Sequence, residues 1–306
     1  MVALTRRHLM ATAALGTAML AWPPARALAQ TAPLGRVIPS SGERMPAIGL
    51  GSWITFNVGN DPALQAECTA VMAAFFAGGG RMIDSSPMYG SSQAVIGRGL
   101  ATLGRPDALF SAEKVWTSSG ANGPAQIDET RRLWGVERFD LLQVHNLLAW
   151  EAHLDTLLAM KAAGRLRYVG ITTSEGRRHD LVEQIMARQP IDFVQLSYNP
   201  VDRDAEQRLL PLAAARGIAV IVNRPFQQGA LTRRLEGAPL PDWAGEVGAT
   251  SWAQLILKFI LAEPAVTVAI PATTRVDHVR ENLAAAGGAL PDRELRRRIA
   301  AHIGAL

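Results

Sequence analysis

Four side chains in this 306-residue chain have types and spacing suited to moving a proton: Asp84, Tyr89, Lys114 and His145. Three of them close apolar runs that read as strands, over 81–84, 109–114 and 140–145, and Tyr89 sits in the loop just after Asp84. The gaps from Asp84 to Lys114 to His145 are 30 and 31 residues, the length of a strand, a helix and two turns. Titratable groups at the ends of successive parallel strands are how a (β/α)8 barrel assembles an active site. A free phenol has a pKa of about 10 and exchanges protons poorly at neutral pH. An ammonium beside it favours the phenolate, and a carboxylate behind the ammonium keeps the lysine charged. Tyr89, Lys114 and Asp84 can form such a relay, and His145 can orient a carbonyl oxygen or help carry its proton. The set suits protonation of an oxygen on which negative charge develops. It supplies neither a nucleophile nor a metal site.

The lysine is informative because lysine is scarce. Of 31 basic residues only Lys114, Lys161 and Lys258 are Lys. Arg fills the other positions, so a Lys inside a strand-like run marks a place that needs a compact ammonium rather than a broad guanidinium.

The elements that must position these groups follow from periodicity. A short hairpin comes first, with 36–39 and 45–51 flanking a turn at 40–43. Strands are then predicted at 48–51, 81–84, 109–114, 140–145, 167–171, 192–197, 218–223 and 265–270. Helices are predicted at 63–77, 92–103, 124–134, 151–163, 178–187, 203–216, 250–262 and 276–285, with a last amphipathic segment over 292–303. Eight strands alternating with eight helices predict an α/β fold, a (β/α)8 TIM barrel with an N-terminal β-hairpin and a C-terminal extra helix. A doubly wound sheet is the alternative, but Gly49-Leu-Gly51 lacks the third glycine of a dinucleotide turn and no helix follows at once. The long loops, 115–123 and 224–249, both follow strands and would lie on the catalytic face.

The first 29 residues read as a separate twin-arginine signal peptide, with 30–306 as the barrel. Arg6 and Arg7 form the arginine pair, 11–22 is a short run of small apolar residues, and Ala27-Leu-Ala29 has the form of a cleavage site. The run is too short for a stable membrane span. Without these residues the chain carries 28 basic and 27 acidic residues, which gives no footprint for nucleic acid or an anionic membrane. Cys68 is the only cysteine, so no intramolecular disulfide can form. That fits a protein folded in the cytoplasm before export, its partner being the twin-arginine machinery and its destination the periplasm. No His/Cys/carboxylate cluster has metal-ligand spacing.

Over about residues 36–286 the chain resembles the aldo-keto reductase superfamily. Gly49-Leu-Gly-Ser-Trp53 is similar to that family's first-strand motif, Asp84-Ser-Ser-Pro-Met-Tyr89 to its aspartate-to-tyrosine motif, and Lys114 and His145 match the rest of its tetrad. The resemblance implies an oxidoreductase that reduces aldehydes or ketones with NADP(H), held extended without a Rossmann domain; NAD(H) is the alternative cofactor. It implies cofactor contacts from Gly51, Ser52, Trp53, Asp84, Thr172, Thr173, Gln195, Asn223, Arg224, Pro225, Phe226, Thr273, Arg275, Glu281 and Asn282. Gln195 corresponds to the glutamine that holds the nicotinamide carboxamide. Asn223 replaces the aromatic that stacks on the nicotinamide, and Thr173 replaces an amide. Ala272 stands where many members have a lysine, leaving Thr273 and Arg275 at the adenosine-phosphate end. Trp53 and Trp116, with Tyr89 and His145, would face a small carbonyl substrate. Two other functions fit less of the pattern: a nucleotide-binding sensor or partner subunit with little turnover, and a barrel hydrolase, for which no nucleophile elbow exists.

Overall fold

The computed structural model describes residues 33–306, which belong to one compact unit. The predicted signal peptide over 1–29 lies outside the described residues. The chain enters as an antiparallel hairpin, β1 (Gly35–Val37) and β2 (Arg44–Pro46). Eight parallel strands follow in sequence order: β3 (Leu50–Gly51), β4 (Met82–Asp84), β5 (Phe110–Val115), β6 (Leu141–Val144), β7 (Tyr168–Thr172), β8 (Phe193–Ser197), β9 (Ala219–Asn223) and β10 (Val266–Ala269). Parallel bridges join Ile48 to Ala269 and Gly51 to Ala272, and the Gly49 N–H donates to the Ala269 carbonyl at 2.8 Å. The first and last strands therefore meet and the sheet curls into a barrel. A Cβ on Gly51 would fall 2.8 Å from the Ile270 carbonyl oxygen, so that seam needs glycine.

The helices between the strands are α1 (Pro62–Ala77), α2 (Ser92–Thr102), α3 (Gly123–Trp134), α4 (Trp150–Ala162), α5 (His179–Arg188), α6 (Leu209–Arg216), α7 (Ala230–Arg234), α8 (Trp252–Leu261) and α9 (Val276–Ala284), with α10 (Arg293–Ala305) last. α1 starts cleanly because the Asp61 carboxylate accepts from the Ala63 and Leu64 N–H groups and Pro62 needs no donor partner. α8 is buried along its length, which its continuous apolar run requires. The predicted helix over 203–216 is broken: a 3-10 turn at Asp204–Glu206 precedes α6. The expected loop over 224–249 contains α7 and a 3-10 turn at Asp242–Val247, both too short for a periodic signal. No helix among the described residues is long and apolar enough to cross a membrane.

Strand parity divides the core in two. Met82, Phe110, Ala112, Leu141, Tyr168, Phe193, Ala219, Ile221 and Val268 fill the barrel interior, together with Ile38 and Met45 from the hairpin that plugs its N-terminal end. The alternate residues, among them Ile83, Val115, Leu142, Val169 and Val194, pack under the helices. Parity has a direct consequence for the site. Continuing the inward-facing positions by twos toward the C-terminal ends reaches Asp84, Lys114, Gln143, His145, Thr172, Gln195 and Asn223, stacked above the apolar plug.

Candidate active site

The four residues singled out by type and spacing come together at the C-terminal mouth of the barrel. The Lys114 ammonium donates to Asp84 Oδ2 at 2.5 Å and to the Ser85 carbonyl at 2.7 Å, and it is 1% exposed. Its nitrogen lies 5.2 Å from the centre of the Tyr89 ring, and that ring meets His145 edge-on at 5.7 Å. Burial disfavours the charge on Lys114, yet Asp84, Tyr89 and Glu113 together hold its pKa above the usual lysine value. Asp84 is itself held on both sides: Oδ1 accepts from Gln143 Nε2 at 3.2 Å and from Gln195 Nε2 at 2.9 Å, and its carbonyl accepts from Ser52 Oγ at 2.8 Å.

The Tyr89 phenol behaves opposite to expectation. Its pKa is pushed up to about 12 because burial outweighs the Lys114 charge, with Asp84 and Glu113 adding to the rise. In this protein the phenol therefore holds its proton throughout the neutral range, and the lysine moderates the rise without reversing it. His145 is driven the other way, down to about 2, by burial and then by the Lys114 charge, so its ring is neutral. Nδ1 lies 2.7 Å from Ser86 Oγ, which also accepts the Met88 N–H at 3.2 Å. Where the Ser86 hydroxyl donates to Nδ1, the imidazole proton sits on Nε2.

A cavity of about 360 Å³ opens over these groups. Tyr89, His145, Asp84, Gly51, Trp53, Met88, Thr172, Thr173, Gln195, Asn223, Arg224, Pro225 and Phe226 line it, and it runs as far as Ala272. Ser52 is buried beneath it. Trp116 is not among the lining residues and is 39% exposed. Thr273, Arg275, Glu281 and Asn282 lie past the cavity's end, after β10 and on α9. The Arg275 guanidinium is exposed and paired with Asp277.

The donors in the cavity wall suit a nicotinamide nucleotide. Gln195 and Asn223 present amides, and the Thr172 hydroxyl, which accepts the Asn146 N–H at 3.0 Å, retains a proton to donate. The amides are engaged with one another here: Asn223 Nδ2 donates to the Thr173 carbonyl at 2.9 Å and to Gln195 Oε1 at 3.3 Å, and Gln195 donates to Asp84. A carboxamide would replace part of this chain with equivalent bonds. Arg224, at a left-handed φ of 51°, lines the cavity and pairs with Glu175 at 2.6 Å. Among the described residues no cluster of His, Cys, Asp or Glu could hold a metal.

Sequence reading passed over three contributors. Gln143 shares the inward parity of His145 two residues on, and parity alone could have found it. Ser86 gave no signal beyond its place in a Ser-Ser pair. Glu113, fully buried beside Lys114, gave no signal in its local sequence.

A curled parallel α/β barrel carries a buried Lys–Asp pair, a phenol and an imidazole at its C-terminal mouth. The chain belongs to the aldo/keto reductase family, whose model matches residues 47–302, and it is an oxidoreductase. It is 25% identical over 256 residues to the methylglyoxal reductase YeaE of Escherichia coli, covering 81% of this chain and 88% of the relative. It is 25% identical over 234 residues to an NADH-specific methylglyoxal reductase of the same organism, covering 64% and 68%. Among solved structures, an aldo/keto reductase from Klebsiella pneumoniae in complex with NADP and acetate shares the fold with a TM-score of 0.72 at 22% identity, covering 86% of this chain and 93% of that one.

Proposed function

We propose that this protein reduces a small aldehyde or ketone to an alcohol, with NADP(H) as hydride donor and Tyr89 as the general acid. The observation that carries the reading is geometric: a buried Lys114–Asp84 pair beside the Tyr89 ring, which meets His145 edge-on, with Tyr89 and His145 both lining the cavity. The nucleotide supplies the hydride when bound. Gln195, Thr172 and Asn223 would hold its carboxamide end, and Arg224 its phosphates. A substrate oxygen placed between Tyr89 and His145 accepts a hydrogen bond from each. As charge grows on that oxygen the Tyr89 proton moves to it, and the Lys114 ammonium stabilises the phenolate left behind. Asp84 keeps Lys114 charged and in place, and Gln143 keeps Asp84 in place.

NADP(H) is favoured over NAD(H) because the family resemblance would put Arg275 and Thr273 at the adenosine-phosphate end, and an aldo/keto reductase of the same fold binds NADP. The NADH-specific relative keeps the second cofactor open as an outcome of the test. Arg275 is exposed and would exchange its Asp277 partner for the phosphate, so Arg275→Ala should weaken NADP(H) binding only about fivefold while hardly changing NAD(H). Nucleotide titrations of wild type and variant read this directly, and equal losses for both nucleotides would remove Arg275 from the phosphate site. Turnover with each nucleotide against a panel of small and bulky carbonyls tests the function itself. Tight nucleotide binding with no turnover would instead favour a sensor or partner subunit.

We further propose export by the twin-arginine route, supported by Arg6, Arg7, the short apolar run and Ala27-Leu-Ala29. Replacing both arginines with lysine should leave the precursor in the cytoplasm of a bacterial host. Export at normal efficiency would end that assignment.

A further inference from the structure

Glu113 is 0% exposed, on the helix-facing side of β5, while its neighbour Lys114 points into the barrel. Its two oxygens do different things. Oε1 accepts the Lys114 backbone N–H at 2.8 Å. Oε2 accepts from Gln93 Nε2 on α2 at 2.9 Å and from the Trp134 indole on α3 at 2.8 Å. The first bond has a topological cause. Along β5 the N–H groups of Phe110, Ala112 and Lys114 point toward β4, as the bond from the Phe110 N–H to the Arg81 carbonyl shows. The last β4–β5 ladder bond runs from the Ser85 N–H to the Ala112 carbonyl, and the Ser85 carbonyl accepts the Lys114 ammonium rather than the Lys114 N–H. The Glu113 carboxylate accepts that N–H instead and ties the backbone of Lys114 to two helices outside the barrel.

Three N–H donors face the carboxyl group and none of the three can accept a proton from it, which matches the ionised form. Its surroundings are otherwise neutral on the helix side: Gln93, itself bonded to Thr130, and Trp134. The charges that reach it come from the catalytic cluster, namely Lys114, Asp84 and Tyr89. Burial opposes ionisation and pushes its pKa up to about 7, with Lys114 and the Gln93 bond pulling the other way.

We propose that Glu113 is a positioning residue for carbonyl reduction: in its ionised form it fixes the backbone of Lys114 and helps keep that ammonium charged, and the chemical step is faster with Glu113 ionised than with it protonated. The inference rests on the reading of Tyr89 as general acid. Protonation weakens the three bonds by removing the negative charge that strengthens them and removes the charge that supports Lys114, so a loss of rate follows as pH falls. Burial pushes the Tyr89 phenol up and the His145 imidazole down, both away from neutrality, whereas Glu113 is pushed up toward it.

The test is the pH profile of kcat at saturating nucleotide and carbonyl for the full chain. Wild type should lose rate as pH falls through about 7. Glu113→Gln, neutral at every pH, should sit near the acidic plateau of the wild type throughout, about tenfold below its alkaline rate, with KM within threefold. A flat wild-type profile, or a Glu113→Gln enzyme with the wild-type profile and rate, would overturn the proposal. If Glu113→Gln does not fold, Gln93→Met decides: it removes a donor that favours ionisation, so the wild-type inflection should move to higher pH, and an unmoved inflection overturns the proposal. Tyr89→Phe in the same series separates the two readings. If it stays active, the general-acid assignment fails; if it is inactive while Glu113→Gln behaves as wild type, only the role of Glu113 fails.

Discussion

Tyr89→Phe should lower kcat for carbonyl reduction by about 10³-fold while nucleotide affinity stays within about twofold of wild type. The change removes one oxygen and nearly nothing else. The ring keeps its edge-on contact with His145 and its place 5.2 Å from the Lys114 nitrogen, so folding and the cavity wall should survive. What is lost is the proton. His145 cannot replace it, because its ring is held neutral by burial and by the Lys114 charge, and a neutral imidazole donates a hydrogen bond but is a very weak acid. The comparison of single-turnover rates at saturating nucleotide reads this loss without contribution from product release. Retained turnover within about threefold would remove Tyr89 from the role.

Lys114→Met should be as damaging to rate and also costly to stability. Removing one member of a buried pair leaves the other charge unpaired, which typically costs about 3–5 kcal/mol. Asp84 is 2% exposed and would retain only the Gln143 and Gln195 amides and its backbone partners. The phenol would lose the one cation that lowers its pKa, so transfer of its proton would become harder. Lys114→Arg should not restore activity. The Lys114 side chain has no exposed surface, and its nitrogen fits between a carboxylate and the Ser85 carbonyl, a space for one ammonium and not for a planar fork. Denaturant unfolding gives the stability loss and steady-state kinetics the rate. Full activity in the Arg variant would mean that any nearby positive charge suffices.

Much of the arrangement was legible in the chain because barrels repeat. The recurrence of a strand and a helix every 25–30 residues placed all eight parallel strands, and the 30- and 31-residue gaps placed Asp84, Lys114 and His145 at the ends of successive ones. The tetrad's company was less legible for physical reasons. Glu113 is held by Gln93 and Trp134, which come from two helices 20 residues before it and 21 after it, and no local pattern shows that three donors converge there. The direction of the Tyr89 shift was misjudged because sequence shows the ammonium and not the desolvation that outweighs it. α7 and the 3-10 turn after it were missed because five or six residues are too few to express a helical period. Arg275, expected from the resemblance to face a phosphate, instead pairs with Asp277 two residues on, a partner that the resemblance did not point to.

The central claim is that hydride passes from the nicotinamide to a carbonyl carbon while Tyr89 protonates the oxygen. The most direct measurement uses NADPH or NADH carrying deuterium at the transferable C4 position, with the carbonyl that turns over fastest in the panel, and locates the label in the product by mass spectrometry and NMR. The account predicts an alcohol with one deuterium on the carbinol carbon from wild type, and almost none formed over the same time by Tyr89→Phe. No labelled alcohol from wild type with either nucleotide, in a folded protein shown to bind that nucleotide, would contradict it.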